Sequence, residues 1–296
     1  MFSLKSGEIT DKLYVKLTYD FNFMKRSIYI FLILFSIYSC DNSSNDEIET
    51  EKKCFITKFN PVVVPLYGQE LFTSEFIYNS QNDIIKKLDF DIIQGNVSEP
   101  LTTQIKSTTE IIYSTSNLPI KIVEQPNIYN IQLIEYLSYT NGKLVAIDRV
   151  TTNIADNLSS KWKYEYSYTD NKITSVIGKH YDSNNILDLN EITTVVYGAN
   201  DNVLSVTKVS SSVSVPNYIS KTITEYGDYD SYKNPFKDLQ VPFEDYIFIR
   251  YSQNNYTKYS KRHFVNDIPQ SYETKTFTYT YNEKNYPKIA EFRCNY

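Results

Sequence analysis

Aromatic and polar residues alternate in several short stretches of the chain, and each stretch leads through a polar turn into an aliphatic pair. The clearest copy runs from Tyr164 to Tyr168, crosses the polar segment 169–172 and continues with Ile173 and Val176. Alternation with a period of two places one face of a β-strand in apolar surroundings. Asn-Gly and Asp-Asn pairs occupy the turns, and these residues tolerate the positive φ of tight hairpins. Each copy is therefore predicted to form a β-hairpin.

The hairpin unit repeats with a period of about 29 residues. The last tyrosine of each first strand, the anchor tyrosine, is predicted at Tyr78, Tyr113, Tyr139, Tyr168, Tyr197, Tyr226, Tyr251 and Tyr281, with steps of 35, 26, 29, 29, 29, 25 and 30 residues. A lone hairpin is marginal in water, so neighbouring units must pair edge to edge. The predicted fold is all-β, an antiparallel meander of repeated hairpins with up to sixteen strands. A sheet of that size should curl, partly close like a barrel, or fold into two layers.

Prolines interrupt the repeat in two places. Pro235 and Pro242 lie between two predicted hairpins. Because proline cannot donate a ladder hydrogen bond, residues 227–245 are predicted to form a loop over one edge of the sheet. Residues 54–70 are predicted to contain an edge strand that leads into the first hairpin.

The composition supports a β fold over a helical one. The chain has 28 Tyr and 16 Phe but only 7 Gly, and alanine, the best helix former, is scarce. A hydrophobic content of 41% is enough for a core, which argues against global disorder. The net charge of −5 argues against a nucleic-acid partner, because phosphate binding needs a basic face.

The most specific signal near the N-terminus is an export signal. Met24-Lys25-Arg26 begins a positively charged region, an apolar run covers 27–37, and Ser39 precedes Cys40. This order is typical of a secretory signal peptide, and the run is too short for a stable transmembrane helix. The end resembles a lipobox, which implies that residues 24–39 are removed and Cys40 is lipidated. A non-lipidated signal peptide and an anchor helix are the alternatives.

The segments on either side of this signal are predicted to lack a fold of their own. Residues 1–23 are interpreted as an upstream extension, with Met24 as the natural start. Residues 40–53 form the lipidated cysteine and a polar, acidic tether that cannot bury apolar surface. The tether resembles the acidic stretch of Bacteroidetes lipoproteins exposed on the outer membrane; a plain solvated linker is the alternative. The predicted location is the outer membrane, anchored by lipid at the cell surface or else facing the periplasm.

The other cysteines, Cys54 and Cys294, lie near the two ends of the predicted β domain, residues 54–296. An oxidising envelope would permit a disulfide between them. Two free buried thiols are the alternative.

The tyrosine-rich units resemble tyrosine-aspartate repeats of the Rhs type. They are more similar to the repeat-bearing surface lipoproteins of unknown function in Bacteroidetes, over roughly residues 70–296. The regular turn glycine of true Rhs repeats is missing here. The resemblance implies a β fold and supplies no catalytic residues.

Residues with catalytic or metal-binding chemistry are few. His180 and His263 lie in different units and are interpreted as exposed strand-end residues. The segment 182–188 lacks an oxygen ligand and the glycine of a calcium loop, so it is interpreted as a hairpin connection. Glu244-Asp245 is interpreted as solvated loop charge. We predict no catalytic residues, no metal site and no cofactor.

The tyrosine surplus is the remaining candidate for function. Outward-facing rows of tyrosine could stack on sugar rings or anchor a protein partner. Inward-facing rows would be core or cross-strand ladder. The predicted function is a non-enzymatic envelope lipoprotein, structural or binding a glycan or protein. The alternative is a hydrolase of envelope or extracellular polymer with an unrecognised carboxylate site.

Overall fold

The computed structural model describes residues 54–59, 73–93, 102–126, 130–237, 239–244, 246–288 and 290–294. The predicted signal peptide, Cys40 and the acidic tether lie outside the described residues, as do Pro61, Pro65 and Asp245. In the described part of the chain, no helix has the length and apolar character to cross a membrane.

All the strands of the described residues belong to one antiparallel sheet with the order β14-β13-β12-β11-β10-β9-β8-β7-β6-β5-β4-β3-β2-β1-β15. The predicted hairpin meander is confirmed, with one addition: the last strand returns beside the first. Residues 54–59 are therefore not an edge strand, because β15 covers their outer side. The strands are β1 (Cys54–Phe59), β2 (Ser74–Tyr78), β3 (Ile84–Ile93), β4 (Thr102–Tyr113), β5 (Pro119–Pro126), β6 (Ile131–Thr140), β7 (Lys143–Asn153), β8 (Leu158–Thr169), β9 (Lys172–Tyr181), β10 (Leu187–Tyr197), β11 (Val203–Ser212), β12 (Ile219–Tyr229), β13 (Tyr256–Val265), β14 (Ile268–Thr276) and β15 (Ala290–Cys294).

The turns use asparagine and aspartate as predicted. Asn141-Gly142, Asp170-Asn171 and Asn266-Asp267 each have two successive residues with positive φ, which is the geometry of a two-residue type I′ hairpin turn. Longer turns place one such residue in the left-handed region, as at Asn82, Asn117, Asn185, Asp201 and Asn285. These residues reverse the chain where a β-branched residue would be strained.

Residues 230–255, which we name the plug, connect β12 to β13 and pack into the core. Phe236, Val241 and Phe243 are buried in the same cluster as residues of β1, β2 and β4 to β7. The prediction that residues 227–245 cover a sheet edge is therefore wrong. Proline excludes this segment from the strand ladder, but its aromatic and aliphatic side chains supply the apolar surface that a single sheet lacks.

The sheet curls around the plug. Ring centroids lie 4.6 Å apart for Phe59 of β1 and Phe236, and 6.5 Å apart for Tyr197 of β10 and Tyr251. In a flat sheet β1 and β10 would be about 43 Å apart, since neighbouring strands are spaced about 4.8 Å. The plug is not extended between these two contacts, because the backbone N–H groups of Leu239 and Tyr246 donate to carbonyls three residues earlier. It can therefore reach both strands only if the sheet is strongly curved. The edges β14 and β15 do not pair in the described residues, so the single sheet is curled but open.

Candidate binding site

The anchor tyrosines form a ladder of hydrogen bonds between neighbouring hairpins. In each rung the hydroxyl of a tyrosine donates to a backbone carbonyl of the preceding unit, as Tyr113 does to Ile84 (2.8 Å). In every rung but the first, the acceptor is the strand partner of the preceding tyrosine, as Ile84 is of Tyr78. In the first rung the acceptor, Ile56, pairs with Phe292 of β15. The register of the two strands shifts between Ile77 and Tyr78, next to that pair. Such a β-bulge leaves backbone groups without a partner on the neighbouring strand, so they can accept a bond from a side chain. The other rungs are Tyr78 to Ile56 (2.6 Å), Tyr168 to Leu144 (2.8 Å), Tyr197 to Ile173 (2.9 Å), Tyr229 to Val203, and Tyr279 to Tyr256 (3.0 Å).

Three predicted anchors, Tyr226, Tyr251 and Tyr281, are not rungs of the ladder. Tyr229 and Tyr279 make the rungs in place of Tyr226 and Tyr281. Each of these two stretches has two tyrosines near its end, three residues apart in the first and two residues apart in the second, so the sequence did not distinguish them. Tyr251 belongs to a short 3-10 helix, Ile249–Tyr251, at the end of the plug.

The ladder is broken at Tyr139. Its hydroxyl is buried and has no hydrogen-bond partner in the described part of the chain. By the rule of the other rungs, the acceptor would be the carbonyl of Pro119, which pairs with Tyr113. Tyr139 and Pro119 instead both line a cavity. A buried unpaired hydroxyl is uncommon, which singles out this position.

The cavity lies between three neighbouring hairpin turns and the plug, and we name it the turn-end cavity. Its volume is about 570 Å³, within the range of small-molecule sites. The wall from the sheet is formed by Ser116, Asn117, Leu118, Pro119, Tyr139, Gly142, Lys143, Leu144, Tyr168, Asn171 and Ile173, and the wall from the plug by Gln240, Pro242, Ile247, Arg250 and Tyr251.

The lining combines aromatic rings, amides and cations. Tyr139, Tyr168 and Tyr251 supply rings with hydroxyl tips, and the amides come from Asn117, Asn171 and Gln240. Burial raises the pKa of Tyr139, against a smaller opposing effect of Arg250, so its hydroxyl remains a donor at neutral pH. Among the described lining residues there is no aspartate, glutamate or histidine.

The two cations of the cavity lie against its tyrosines. The Lys143 amine is 5.7 Å from the centroid of the Tyr168 ring. The Arg250 guanidinium carbon is 5.6 Å from the Tyr251 ring centroid, and its Nη1 donates to the Gln240 carbonyl at 3.4 Å. Both cations are therefore held at the wall by contacts with rings and a carbonyl, and neither has a carboxylate partner among the residues that the structure describes.

Carboxylates converge at a second place on the inner face of the sheet. Arg149 pairs with the buried Glu135 at 2.7 Å and with Glu244 of the plug at 2.8 Å, and Lys208 pairs with Glu191 at 3.3 Å. Burial raises the pKa of Glu135, and Arg149 opposes this shift. The space between these groups is only about 50 Å³. Glu244 is thus more than solvated loop charge, because it ties the plug to β7.

The histidines are part of two separate strand contacts. His180 Nδ1 lies 2.6 Å from Asp188 Oδ1, and its ring packs against Trp162 with centroids 4.8 Å apart. Its side chain is only 17% exposed, so the prediction of an exposed residue is wrong for His180. His263 Nδ1 lies 3.2 Å from the hydroxyl of Thr222.

The segment 182–188 is a hairpin connection, as predicted: residues 182–186 form the turn, and residues 187 and 188 begin β10. The Asp182 carboxylate accepts hydrogen bonds from the backbone amides of Asn184 and Ile186, at 2.9 and 2.8 Å. These bonds lower the pKa of Asp182. No group of three or more metal-ligating side chains occurs in the described ranges.

The strand register places the two domain cysteines opposite each other. Cys54 is buried and disulfide-bonded, and its partner residue in the β1–β15 pair is Cys294.

Comparison with known proteins gives structural likeness only. No family model matches the sequence, and no curated protein does. The chain is similar to a porin-like protein from Bacteroides vulgatus ATCC 8482, with 12% identity and a TM-score of 0.49 over 82% of this chain and 98% of that chain. It is also similar to a porin-like protein from Bacteroides uniformis ATCC 8492, with 12% identity and a TM-score of 0.44 over 75% and 87% of the two chains. Structural similarity at this level of identity does not indicate that the proteins share a function.

Proposed function

We propose that this chain is a non-enzymatic lipoprotein of the cell envelope that binds a glycan in the turn-end cavity. The observation that carries the proposal is the break in the tyrosine ladder. At Tyr139 the repeat gives up a hydrogen bond that its other units make, and a cavity of about 570 Å³ occupies that place.

The lining suits a saccharide better than other ligands. Sugar rings present C–H faces and hydroxyl edges, and a tyrosine offers a flat apolar face with a polar tip. The amides of Asn117, Asn171 and Gln240 can both donate to and accept from hydroxyl groups. A protein partner normally needs about 800 Å² of surface, which favours a broad face over a cavity of this size.

The location in the envelope rests on the sequence. A signal peptide at 24–39, a lipidated Cys40 and an acidic tether at 40–53 would hold the β domain in water beside a membrane. The outer face of the outer membrane is the proposed site, and the periplasmic face is the alternative.

A hydrolase remains the second candidate because of Glu135, Glu191 and Glu244. Burial raises the pKa of Glu135, which is a property of general acids. Against this, a cation pairs with each of the three carboxylates. The space of about 50 Å³ holds a few water molecules and is too small for a sugar ring.

The test is a glycan array probed with the full chain in detergent, followed by affinity measurement on the retained glycan. We expect Tyr251→Ala to weaken binding roughly tenfold, the equivalent of about 1.4 kcal/mol. The matched control is Tyr272→Ala, because Tyr272 is 66% exposed on β14 and does not line the cavity. Equal affinity of the two variants, or an array without any retained glycan, would contradict the proposal.

The same glycan also distinguishes a hydrolase from a protein that only binds. The retained glycan is incubated with the protein and new reducing ends are measured. Cleavage that disappears in Glu135→Gln would favour the hydrolase, and an intact glycan would favour simple binding.

A further inference from the structure

The charge of the turn-end cavity differs from that of the molecule. The chain carries 35 acidic and 30 basic side chains, so its net charge is negative. The described lining nevertheless contains Lys143 and Arg250 and no carboxylate. A cavity of opposite sign to the whole protein is not explained by solubility.

Neither cation has a carboxylate partner in the described residues. Several other cations of the described residues form ion pairs with carboxylates, namely Lys58, Lys87, Lys106, Arg149, Lys172, Lys208, Lys258, Arg262 and Lys275. Lys143 and Arg250 instead contact tyrosine rings.

The next hairpin provides a matched comparison for Lys143. Lys143 and Lys172 occupy the same position of the repeat, four residues after Tyr139 and Tyr168. Each amine lies over the following anchor tyrosine, at 5.7 Å for Lys143 and 5.2 Å for Lys172. Lys172 has Asp201 as its ion-pair partner, whereas Lys143 faces the cavity.

We infer that the turn-end cavity selects an acidic saccharide, whose carboxylate or sulfate group contacts Arg250, Lys143 and the hydroxyl of Tyr139. The inference rests on the proposed function and adds the chemical class of the ligand. The planar guanidinium of arginine presents paired donors that match an anionic oxygen pair. The unpartnered Tyr139 hydroxyl supplies one further donor to the same group.

The experiment compares acidic and neutral forms of one saccharide. The full chain in detergent is titrated with oligogalacturonides and with the same oligomers fully methyl-esterified. A second pair, chondroitin sulfate oligosaccharides and their desulfated forms, distinguishes a sulfate from a carboxylate. We expect one acidic member to bind at least roughly tenfold more tightly than its uncharged or desulfated partner. Its affinity should also fall as salt is raised, because screening weakens contacts between charges.

Single substitutions test whether Arg250, Lys143 and Tyr139 make the contacts with the acidic group. Arg250→Gln should weaken binding of the acidic oligomer roughly tenfold, and Lys143→Gln roughly threefold because it is more exposed. Lys172→Gln is the matched control and should leave the affinity unchanged. Tyr139→Phe should weaken acidic binding while the ring contact is kept.

The outcomes separate the two proposals. Equal binding of acidic and neutral oligomers, or losses in Lys172→Gln that match those in Lys143→Gln, would overturn the acidic ligand and leave glycan binding standing. No binding of any oligomer, together with an empty glycan array, would overturn both. Binding of neutral glycans alone, abolished by Tyr251→Ala, would overturn only the acidic class.

Discussion

The hydroxyl of Tyr197 donates a hydrogen bond to the backbone carbonyl of Ile173, 2.9 Å away, and so joins two neighbouring hairpins. Ile173 pairs with Tyr168, whose own hydroxyl bonds to Leu144 one unit earlier. The tyrosine period is therefore the period of a structural contact, which joins each of these units to the one before it and is missing at Tyr139 in the described residues.

Removal of one rung should destabilise the fold. Tyr197→Phe keeps the ring but leaves the Ile173 carbonyl without its donor, at a cost of about 1 kcal/mol. The matched control is Tyr139→Phe, because the Tyr139 hydroxyl has no partner in the described residues. Urea unfolding followed by circular dichroism measures both variants. An equal loss of stability in the two would show that the rungs do not contribute.

Much of the sheet could be predicted from sequence because its signals are local. Alternation from Tyr164 to Tyr168 and the turn at Asp170-Asn171 lie within a few residues of each other. The ladder itself could not be derived, since a hydroxyl-to-carbonyl bond joins residues about one period apart and leaves no pattern besides the repeat. For the same reason the sequence did not indicate that Tyr229, and not Tyr226, makes the hydrogen bond of its unit.

The plug should contribute as much to stability as a strand of the core. Phe236 packs edge to face on Phe59 and stacks on Tyr246, with centroids 4.6 Å apart in both cases. Phe236→Ala should cost about 3 kcal/mol or more, since it opens a cavity in the core. Phe236→Leu, a milder change, should cost less and keep the fold measurable.

Tyr272→Ala on the exposed edge strand is the control for the plug, with an expected change within about 0.5 kcal/mol. If Phe236→Ala and Tyr272→Ala have the same unfolding midpoint, the plug is a surface loop.

The packing of the plug could not be predicted from the sequence. Pro235 and Pro242 indicate that strand pairing is interrupted, but they do not indicate whether the interrupting segment packs into the core or lies on the surface. The cavity could not be predicted for the same reason, because Gln240, Arg250 and Tyr251 line it only when the plug packs against the sheet.

We expect a disulfide between Cys54 and Cys294. The two residues are register partners where β15 pairs with β1. Peptide mapping without reductant should recover the two cysteines in one linked fragment. Reduction should lower the free energy of unfolding by about 2–5 kcal/mol, because the cross-link restricts the unfolded chain. The double variant C54S/C294S should not respond to reductant, and alkylation of both thiols in the unreduced folded protein would refute the pairing.

The buried tyrosines should make the protein sensitive to alkali. Burial raises the pKa of Tyr229 and Tyr256 from 10.0 to about 12. Below pH 10 both states keep these protons, so the stabilising effect is complete there. As the pH rises from about 10 through about 12, the unfolded chain releases protons that the folded chain retains, and the free energy of unfolding falls. Urea titrations across this range, with tyrosinate absorbance recorded alongside, measure the effect. Tyr229→Phe removes one of these protons and should make the decline shallower. A stability that stays level up to about pH 12 would mean that these hydroxyls are not buried in the folded protein.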